Sequence, residues 1–337
     1  MLQYFFNHNG LCNMRLNTLL SAAAALTLAG CATCASYDAD DPVVGNWGLR
    51  LHYGSMDAGH MILSRDADGR PQALVLWRWA SPELQKNVVF DGNRFSFDHN
   101  WGFKVEGEVD GMTMKGRAVN AGKVVTAFEG WRNPPVCGGI STKDAVLGDP
   151  VDLLADGLDG WKLMDEKAKN GWSVRESDGV KVLSNSLGLK PDGSWAGGGA
   201  NLMTRRADFY DFNLEYDVRV PKGSNSGVYL RGRYEIQVVD SYGKKVDCHN
   251  MAAYYGRVAP SVAAEKKPGE WQHVSVTLYK RHLTVVLNGT TIIDDAPVTG
   301  VTGGAIDANE FVPGPIYLQG DHSDADYRNM ILRPVIR

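Results

Sequence analysis

The sequence has little of what a nucleic-acid-binding protein needs. Its 337 residues carry 35 Lys and Arg against 39 Asp and Glu, a net charge of −4, and show no basic stripe. Several catalytic motifs are also missing. There is no HExxH, no pair of CxxC motifs, no phosphate-binding loop and no GxSxG, since Gly223-Ser-Asn-Ser-Gly227 has Asn225 at its centre. These absences argue against a nucleic-acid partner, a metalloprotease, a nucleotide enzyme and a serine hydrolase.

Cysteine is scarce, with five residues in the chain. Cys12 and Cys31 belong to the N-terminal leader described below, which leaves Cys34, Cys137 and Cys248. A bridge between Cys137 and Cys248 is one alternative, but no spacing in the sequence supports it. The sequence therefore does not predict a disulfide framework.

The apolar run LNTLLSAAAALTLAG, which follows Met14-Arg15, is too short to span a bilayer as a mature helix. A basic start, a short apolar run and small residues are typical of an export signal. Leu28-Ala-Gly-Cys31 resembles a bacterial lipobox, in which cleavage precedes a lipidated cysteine; a plain secretory cleavage near Cys34 is the alternative. We expect a lipoprotein signal peptide over residues 1–31, with Met14 as the true start. The mature chain is then expected in the bacterial periplasm or at the cell surface, tethered to the outer membrane by a lipid on Cys31.

Long charged helical stretches are missing as well, whereas 38 glycines and many short alternating segments favour an all-β fold. Residues 42–135 contain Asp68-Gly69, Asp91-Gly92 and Asp110-Gly111, which are strong hairpin signals because Asp-Gly tolerates positive φ. The alternating segments between them are NWGLRLHY, HMILSRD, ALVLWRW, RFSFD, FKVEGEV, MTMKGRAV and VVTAFEGW. We predict a small antiparallel β-barrel or flattened sandwich that serves as an accessory domain.

Two features of this first block bear on its class. Gly45-Asn-Trp47 at its start and Trp131-Arg132 at its end resemble the G-x-W and the closing arginine of lipocalin-like barrels. Trp77, Trp79 and Trp101 have the ring type that stacks on sugars, but we expect them to fill the core.

Residues 136–150 have the composition of a linker, and a second β-rich block covers residues 151–337. Asn288-Gly289 joins two alternating runs in this block and predicts a type I′ hairpin. About a dozen antiparallel strands with few helices predict a two-sheet jelly roll, a fold that carries binding sites on a sheet face.

The hairpin SGVYLRGRYEIQVVD carries the first cluster of polar side chains. An odd-length loop that places Arg231 opposite Glu235 and Tyr229 opposite Gln237 sends the apolar residues to one face and these four to the other. Asp240 lies where the second strand ends, and a β-bulge there would bring it onto the polar face. The hairpin is thus either a catalytic strand pair or a sheet with a solvated face.

The second polar cluster lies near the C-terminus, in GPIYLQGDHSDADYRNM. Gln319 ends one strand, Asp321, His322 and Asp324 fall on a loop, and Arg328 follows on the last strand. If the strands share a sheet, Gln319, His322 and Arg328 meet the carboxylate of the hairpin. A carboxylate, an imidazole, a guanidinium and amides together suit a polyhydroxylated ligand.

At these residues the sequence resembles the 3-keto-disaccharide hydrolases, a family once known as a domain of unknown function with a concanavalin-like jelly roll. The resemblance covers about residues 151–337 and follows the order of the family. Its blocks are LLADGLDGWKL, FYDFNLEYDVRVPKGSNSGVYLRGRYEIQVVDSYG, AAYYGRVAPS, KKPGEWQHVSVTL, VVLNG, GPIYLQGDH and YRNMILRP. The chain departs from the family in GDHSDADYRNM, where a shorter turn is usual, and in its N-terminal β-rich block.

The resemblance implies hydrolysis of glycosides that carry a ketone at C3. The ketone acidifies the proton on C2, so a base removes it and the C1 substituent leaves by β-elimination; hydration completes the hydrolysis. We expect Glu235 or His322 as the base and Arg231 to stabilise the enolate. The full expected set is Glu235, His322, Arg231 and Asp240 in catalysis, Asn225, Tyr229, Gln237, Gln319 and Arg328 in substrate binding, and Glu235, Asp240 and His322 around a divalent metal ion.

Two other functions compete with this interpretation. A laminarinase-type glycosidase has a similar jelly roll with an E-x-D-x-x-E strand, but here Gln237 replaces the middle acid and Asp240 the last. A non-catalytic carbohydrate-binding jelly roll is the second rival, because fold alone does not separate lectin from enzyme. The sequence also leaves open whether the product is a free sugar or an unsaturated ketone.

Overall fold

The computed structural model describes residues 41–54 and 56–336. The expected signal peptide, Met14, Cys31 and Cys34 lie outside these residues. In the described part of the chain, no helix is both long and apolar enough to cross a membrane. The described residues form two short 3-10 helices, Thr142–Asp144 and Gly157–Gly160, and 22 strands, so the predicted all-β fold is confirmed.

The first nine strands form one antiparallel sheet, which we call the barrel. They are β1 Gly45–Leu51, β2 Ala58–Arg65, β3 Pro71–Trp77, β4 Glu83–Leu84, β5 Lys86–Asp91, β6 Arg94–Asp98, β7 Lys104–Asp110, β8 Thr113–Asn120 and β9 Lys123–Asn133. The order is β4-β3-β2-β1-β9-β8-β7-β6-β5, so β9 pairs with β1 and the two edge strands are consecutive in the chain. This is the circular order of an up-and-down barrel.

The predicted Asp-Gly turns close three hairpins of the barrel. Gly69, Gly92 and Gly111 all have positive φ, at 79°, 57° and 56°. Of the three tryptophans that the sequence assigned to the core, only one is buried. Trp77 is 2% exposed and belongs to the core, whereas Trp79 and Trp101 are 41% and 43% exposed. Core filling therefore describes Trp77 but not the other two.

The remaining thirteen strands build the predicted jelly roll from two sheets. They are β10 Val151–Asp152, β11 Trp161–Leu163, β12 Trp172–Ser177, β13 Val180–Asn185, β14 Leu202–Thr204, β15 Phe212–Arg219, β16 Asn225–Leu230, β17 Tyr234–Val239, β18 Gln272–Tyr279, β19 His282–Leu287, β20 Thr290–Pro297, β21 Tyr317–Leu318 and β22 Ala325–Pro334. The larger sheet has the order β12-β13-β22-β15-β18-β19-β20, with β10 beside β22. The smaller sheet has the order β11-β14-β21-β16-β17. The turn between β19 and β20 has Asn288 at φ 51° and Gly289 at φ 84°, as a type I′ hairpin requires.

Alternation along the strands separates the core of the jelly roll from the face that carries the site. Val228 and Ile236 of the smaller sheet, and Leu214 and Val276 of the larger one, are fully buried and belong to one hydrophobic cluster. Because side chains of a strand alternate between faces, the residues that flank Val228 and Ile236 in the chain point the other way, away from the larger sheet.

The barrel is joined to the jelly roll by buried polar contacts. The amide of Asn46 donates to the carbonyl of Thr299 at 2.7 Å, and the amide of Asn133 donates to the carboxylate of Glu310 at 2.8 Å. Glu310 is fully buried. Since a buried polar group without its partner is costly, these bonds fix how the two parts meet.

The bridge between Cys137 and Cys248 does not form. Cys137 is an exposed free cysteine, whereas Cys248 is disulfide-bonded. The alternative that the sequence left open is therefore wrong.

Candidate active site

A row of four side chains crosses the outer face of the smaller sheet. Tyr229 on β16 pairs with Glu235 on β17 and, on its other side, with Tyr317 on β21. Beyond β17, the backbone N–H of Tyr255 donates to the carbonyl of Glu235 at 3.0 Å, and the adjacent Ile236–Tyr254 pair is antiparallel. Directly opposed residues of antiparallel strands point to the same side. Tyr317, Tyr229, Glu235 and Tyr255 therefore line one face of the sheet.

The predicted register of this hairpin is wrong by two residues. Leu230 pairs with Tyr234, so the loop is Arg231-Gly-Arg233, and Tyr229 rather than Arg231 faces Glu235. The loop does have an odd number of residues, which is why the division of the two faces was predicted correctly. Arg231 has φ 54° and belongs to the turn. The pairing is shifted because it buries Leu230 and Tyr234 together in the core.

The polar face of the hairpin is not solvated. Glu235 and Gln237 are each only 3% exposed, because the segment around Ala253 pairs with Gln237 and covers the edge of β17. A second segment reaches the row: Thr302 Oγ1 accepts from the backbone N–H of Glu235 at 2.9 Å, and the carbonyl of Gly303 lies 2.8 Å from the hydroxyl of Tyr229. Of the two alternatives that the sequence left open, the sheet with a solvated face is therefore excluded.

Burial controls the charge of Glu235. It raises the pKa of this carboxyl to about 8; the hydrogen bond from Tyr229 lowers it and the charge of Asp321 raises it. The hydroxyl of Tyr229 lies 2.8 Å from Glu235 Oε2 and 2.8 Å from the carbonyl of Gly303. One hydroxyl proton cannot fill both bonds, so both form together only when Glu235 is protonated and donates to Tyr229. Geometry and burial thus agree on a neutral Glu235 near pH 7.

A glycine makes room for this carboxyl. Gly227 lies on β16 opposite Gln237, and a Cβ built there would lie 2.9 Å from Glu235 Cδ and closer still to its Oε1. No real side chain tolerates that approach, so the carboxyl of Glu235 occupies the space that a side chain at position 227 would take.

Asp321 and His322 form a pair on the loop after β21. Asp321 Oδ1 lies 2.6 Å from His322 Nδ1, and the two side chains are 39% and 47% exposed. Partial burial lowers the pKa of His322, but the bond and the charge of Asp321 outweigh it, so the pKa is raised from its usual value. The bond occupies Nδ1 and leaves Nε2 for a ligand. The charge of Asp321 acts on Glu235, so this loop lies near β17.

Predicted sugar-binding amides lie on the same face. The N–H of Gln319 donates to the carbonyl of Gly227 at 2.9 Å, which places Gln319 beside β16 in register with Gln237. Asn225 lies two residues further along β16, on the same side. Asn225 Oδ1 and Gln319 Oε1 are buried without a partner among the described residues. Such acceptors are available to ligand hydroxyl groups.

Asp240 does not reach this site. Its carboxylate accepts from the backbone N–H of Gly223 at 2.9 Å, and its carbonyl accepts from Lys244 at 2.6 Å, so it closes a turn beyond the end of β17. It lies about five residues along the strand from Glu235, or roughly 16 Å in an extended chain. The expected bulge that would return it to the polar face does not form in the β16–β17 pairing.

The expected metal ligands do not converge either. Glu235 is bonded to Tyr229, Asp240 to a turn amide and His322 to Asp321. Among residues 41–54 and 56–336, no group of three or more His, Cys, Asp or Glu side chains could hold a metal ion. The predicted set Glu235, Asp240 and His322 is therefore not a metal site in this structure.

Arg231 is turned away from Glu235, contrary to the predicted role at the enolate. It is 1% exposed, donates to the hydroxyl of Tyr234 at 2.8 Å and lies 4.8 Å over the ring of Tyr210. Tyr234 is a core residue and bonds in turn to Glu310 at 2.9 Å. Arg231 therefore belongs to the buried polar network between the jelly roll and the barrel. Tyr210 also lines a cavity of about 390 Å³ that contains none of the predicted site residues.

Arg328 lies on the other sheet, because β21 and β22 do not share one. Its Nε donates to Asp217 Oδ2 at 3.1 Å, and its guanidinium lies 4.1 Å over the ring of Trp271. The expectation that Arg328 meets Glu235 is therefore corrected: the loop at His322 carries the chain from one sheet to the other.

Two residues of the site were missed in the sequence, and for different reasons. Tyr255 lies in AAYYGRVAPS, where nothing in the alternation indicates that this segment pairs with β17. Thr302 acts through a single hydroxyl from a segment without regular structure. Tyr317, by contrast, shares the alternation of Gln319 in GPIYLQ, and its ring stacks on Tyr229 with centroids 4.2 Å apart.

Burial of Glu235 predicts a pH-dependent stability. Its pKa of about 8 exceeds the ordinary value of 4.5, so the stabilisation is complete below 4.5 and is lost as the pH rises through 8. The wild type loses this stabilisation at high pH and Glu235→Gln does not. We therefore expect the difference, Tm of Glu235→Gln minus Tm of the wild type, to increase by roughly 5–10 °C between pH 4.5 and pH 8.5. Thermal melts of both proteins across this range test it. A constant difference would mean that folding does not raise the pKa of Glu235.

The second half of the chain matches a known family. The family model described as 3-keto-alpha-glucoside-1,2-lyase-like domain matches residues 150–333, which include the whole of the smaller sheet and the loop at His322. No curated protein matches the chain.

Solved structures also resemble part of the chain. A protein described as a candidate glycosyl hydrolase from Parabacteroides distasonis is 24% identical over 56% of this chain and 100% of its own, with a TM-score of 0.41. SCLam, a non-specific endo-beta-1,3(4)-glucanase from family GH16, is 13% identical over 59% of this chain and 94% of its own, with a TM-score of 0.35. A carbohydrate-binding module, CBM66 from Bacillus subtilis, is 17% identical over 51% of this chain and 93% of its own, with a TM-score of 0.28.

Proposed function

The chain belongs to the family of 3-keto-alpha-glucoside-1,2-lyase-like domains, which is carbohydrate-active, and from this premise we propose that it hydrolyses 3-keto glycosides by elimination and hydration. The observation that carries the proposal is the placement of Glu235. It is a buried carboxyl that keeps its proton near neutral pH, and the charge of Asp321, which holds the exposed His322, acts on it. An elimination at a sugar ring needs an acid and a base of this kind.

The first half of the reaction removes the C1 substituent. His322, held by Asp321 through Nδ1, takes the proton from C2 with Nε2, and the electrons of the C–H bond form an enolate on the C3 oxygen. The enolate then forms the C1=C2 double bond, and the bond between C1 and the glycosidic oxygen breaks. Glu235 gives its proton to the departing oxygen. The products of this half are an alcohol and an unsaturated ketone.

The second half uses the same two groups in their exchanged states. Glu235 is now a carboxylate and takes a proton from water, whose oxygen bonds to C1. His322 is now protonated and returns its proton to C2. A free 3-keto sugar results, and both groups regain their starting protonation. In this proposal the amides of Asn225, Gln237 and Gln319 hold ring hydroxyls and the ketone oxygen; the buried, unpartnered acceptors of Asn225 and Gln319 among the described residues support this role.

A two-substrate assay on the mature chain tests the proposal. The protein is incubated with trehalose or lactose and with their 3-keto forms, with and without chelator, and products are followed by mass and by the absorbance of the unsaturated ketone. Turnover of the keto forms alone is the expected result. The chelator arm shows whether an added cation participates.

The remaining outcomes favour other functions. Turnover of the unmodified sugar would move the assignment to a two-carboxylate glycosidase, for which Glu235 and Asp321 are the nearby pair that the structure offers. Binding without turnover of any sugar would favour a carbohydrate-binding module.

A further inference from the structure

A loop of the barrel reaches over to the jelly roll beside Glu235. The loop, residues 78–81, follows β3 and precedes β4. The carbonyl of Arg78 accepts from the backbone N–H of Gly304 at 2.7 Å. Ala80 packs closely on Gly303. A Cβ added to Gly303 would lie 2.7 Å from the backbone nitrogen of Ala80 and closer still to the carbonyl oxygen of Ala80. Gly303 is the residue whose carbonyl bonds to Tyr229, so the loop rests on the segment that covers the acid.

Ser81 ends this loop inside a cluster of jelly-roll side chains. Its Oγ lies 2.7 Å from His249 Nε2. His249 meets the ring of Tyr255 edge-on at 5.2 Å, and its Nδ1 lies 3.4 Å from the carboxylate of Asp247. Gly256 leaves space for the serine, because a Cβ there would lie 2.6 Å from Ser81 Oγ. A barrel hydroxyl thus holds His249, and His249 in turn packs against the ring of Tyr255.

Tyr255 connects this cluster to the acid. It lies opposite Glu235 in the row that crosses the sheet, and burial together with the charge of Glu235 raises its pKa. Apart from Tyr255, the titratable groups coupled to Glu235 are Tyr229 on β16, Tyr317 on β21, Asp321 after β21 and Tyr327 on β22. All of these belong to the jelly roll, and the barrel reaches their row through Ser81 and through the part of the same loop that rests on Gly303.

We propose that Ser81 is a positioning residue of the sugar site, which holds His249 against the ring of Tyr255, keeps the hydroxyl of Tyr255 away from Glu235 and so makes the barrel part of the catalytic unit. The proposal rests on the proposed function for its effect on turnover. A serine hydroxyl suits this role because it can pair with either tautomer of the imidazole of His249. Without it, His249 no longer holds the ring of Tyr255, and the hydroxyl of Tyr255 is free to donate to the carboxylate of Glu235, which favours the charged form.

Ser81→Ala in the full chain tests the proposal through two readouts. The first is turnover of a 3-keto disaccharide: we expect kcat to fall about tenfold, with KM changed less than about twofold, and Ser81→Thr to restore most of the loss. The second needs no substrate. The Tm difference between the wild type and Glu235→Gln is measured against pH, and so is the difference between Ser81→Ala and the double variant. The pH at which the difference levels off should be about one unit lower in the second pair.

A matched control is Ser96→Ala, a half-buried serine on β6 of the same barrel. It should leave both readouts unchanged. If no 3-keto glycoside is turned over by the wild type, the proposed function fails, while the substrate-free readout still decides on Ser81. A stability profile of Ser81→Ala that overlays the wild type, or a kcat loss that Ser81→Thr does not restore, would overturn the proposal.

Discussion

Replacing Glu235 with glutamine should lower kcat/KM for a 3-keto glycoside by about a thousandfold and leave the Kd within about threefold. Glutamine has the shape of the protonated carboxyl, so it retains the contact with Tyr229 and the space beside Gly227. It has no proton to give to the departing oxygen. Kinetics of the elimination and calorimetric binding of the same substrate measure the two quantities.

Asp240→Asn is the matched control for this variant. The change also converts a carboxylate to an amide, on the same strand pair, but Asp240 only accepts from the turn at Gly223. An asparagine oxygen accepts the same bond, so activity should stay within about twofold of the wild type. If instead Asp240→Asn is inactive and Glu235→Gln is active, the acid has been assigned to the wrong residue.

The Glu235→Gln result also distinguishes a carbohydrate-binding module from an enzyme. A carbohydrate-binding module has no use for a proton on Glu235, and its affinity would depend on the amides. Loss of turnover with retained binding separates the two functions without a change of fold. The laminarinase-type hypothesis meets a different difficulty, because its strand would need Asp240 beside the substrate, and the structure puts that residue at a turn.

Alternation in the sequence was enough to divide the hairpin into a core face and a polar face. Val228 and Ile236 were assigned to the core, and Glu235 and Gln237 to the other face, as the structure has them. Alternation cannot choose between registers that differ by two residues, because both keep the faces intact. The observed register pairs Leu230 with Tyr234 and buries both in the core.

The sequence could not show what covers the polar face. Tyr255 and Thr302 come from segments without an alternating pattern, and Ser81 comes from a separate part of the chain. Their contacts are long-range in sequence, so no local pattern indicates them. The charge of Glu235 depends on this cover, since burial is the main cause of its raised pKa.

The sequence also left undetermined which of the two sheets each C-terminal strand belongs to. Gln319 and Arg328 are nine positions apart and were expected on one face. The loop between them changes sheets, held by Ser323 on Asn225 at 2.7 Å and by Asp324 on the backbone of Leu187 at 2.6 Å. Gln319 therefore stays with the site, and Arg328 pairs with Asp217 on the other side of the molecule.

Gly227→Ala should lower kcat/KM by about a hundredfold in a folded protein. Its φ is not in the left-handed region, so alanine fits the backbone, but the new methyl would lie 2.9 Å from Glu235 Cδ and closer still to its Oε1. The carboxyl must move, and its bond with Tyr229 at 2.8 Å is lost. Steady-state kinetics below the melting transition measure the effect, and circular dichroism confirms that the variant is folded.

Two further variants separate displacement of the carboxyl from general destabilisation. Gly138→Ala adds a methyl where nothing lies within 4 Å, so it should behave as the wild type. Glu235→Asp shortens the acid by one carbon and leaves room for the added methyl in the double variant. If the methyl acts by pushing the carboxyl, Gly227→Ala combined with Glu235→Asp loses less than the product of the single losses. Strictly multiplicative losses would mean that Gly227 affects turnover by a route that does not involve Glu235.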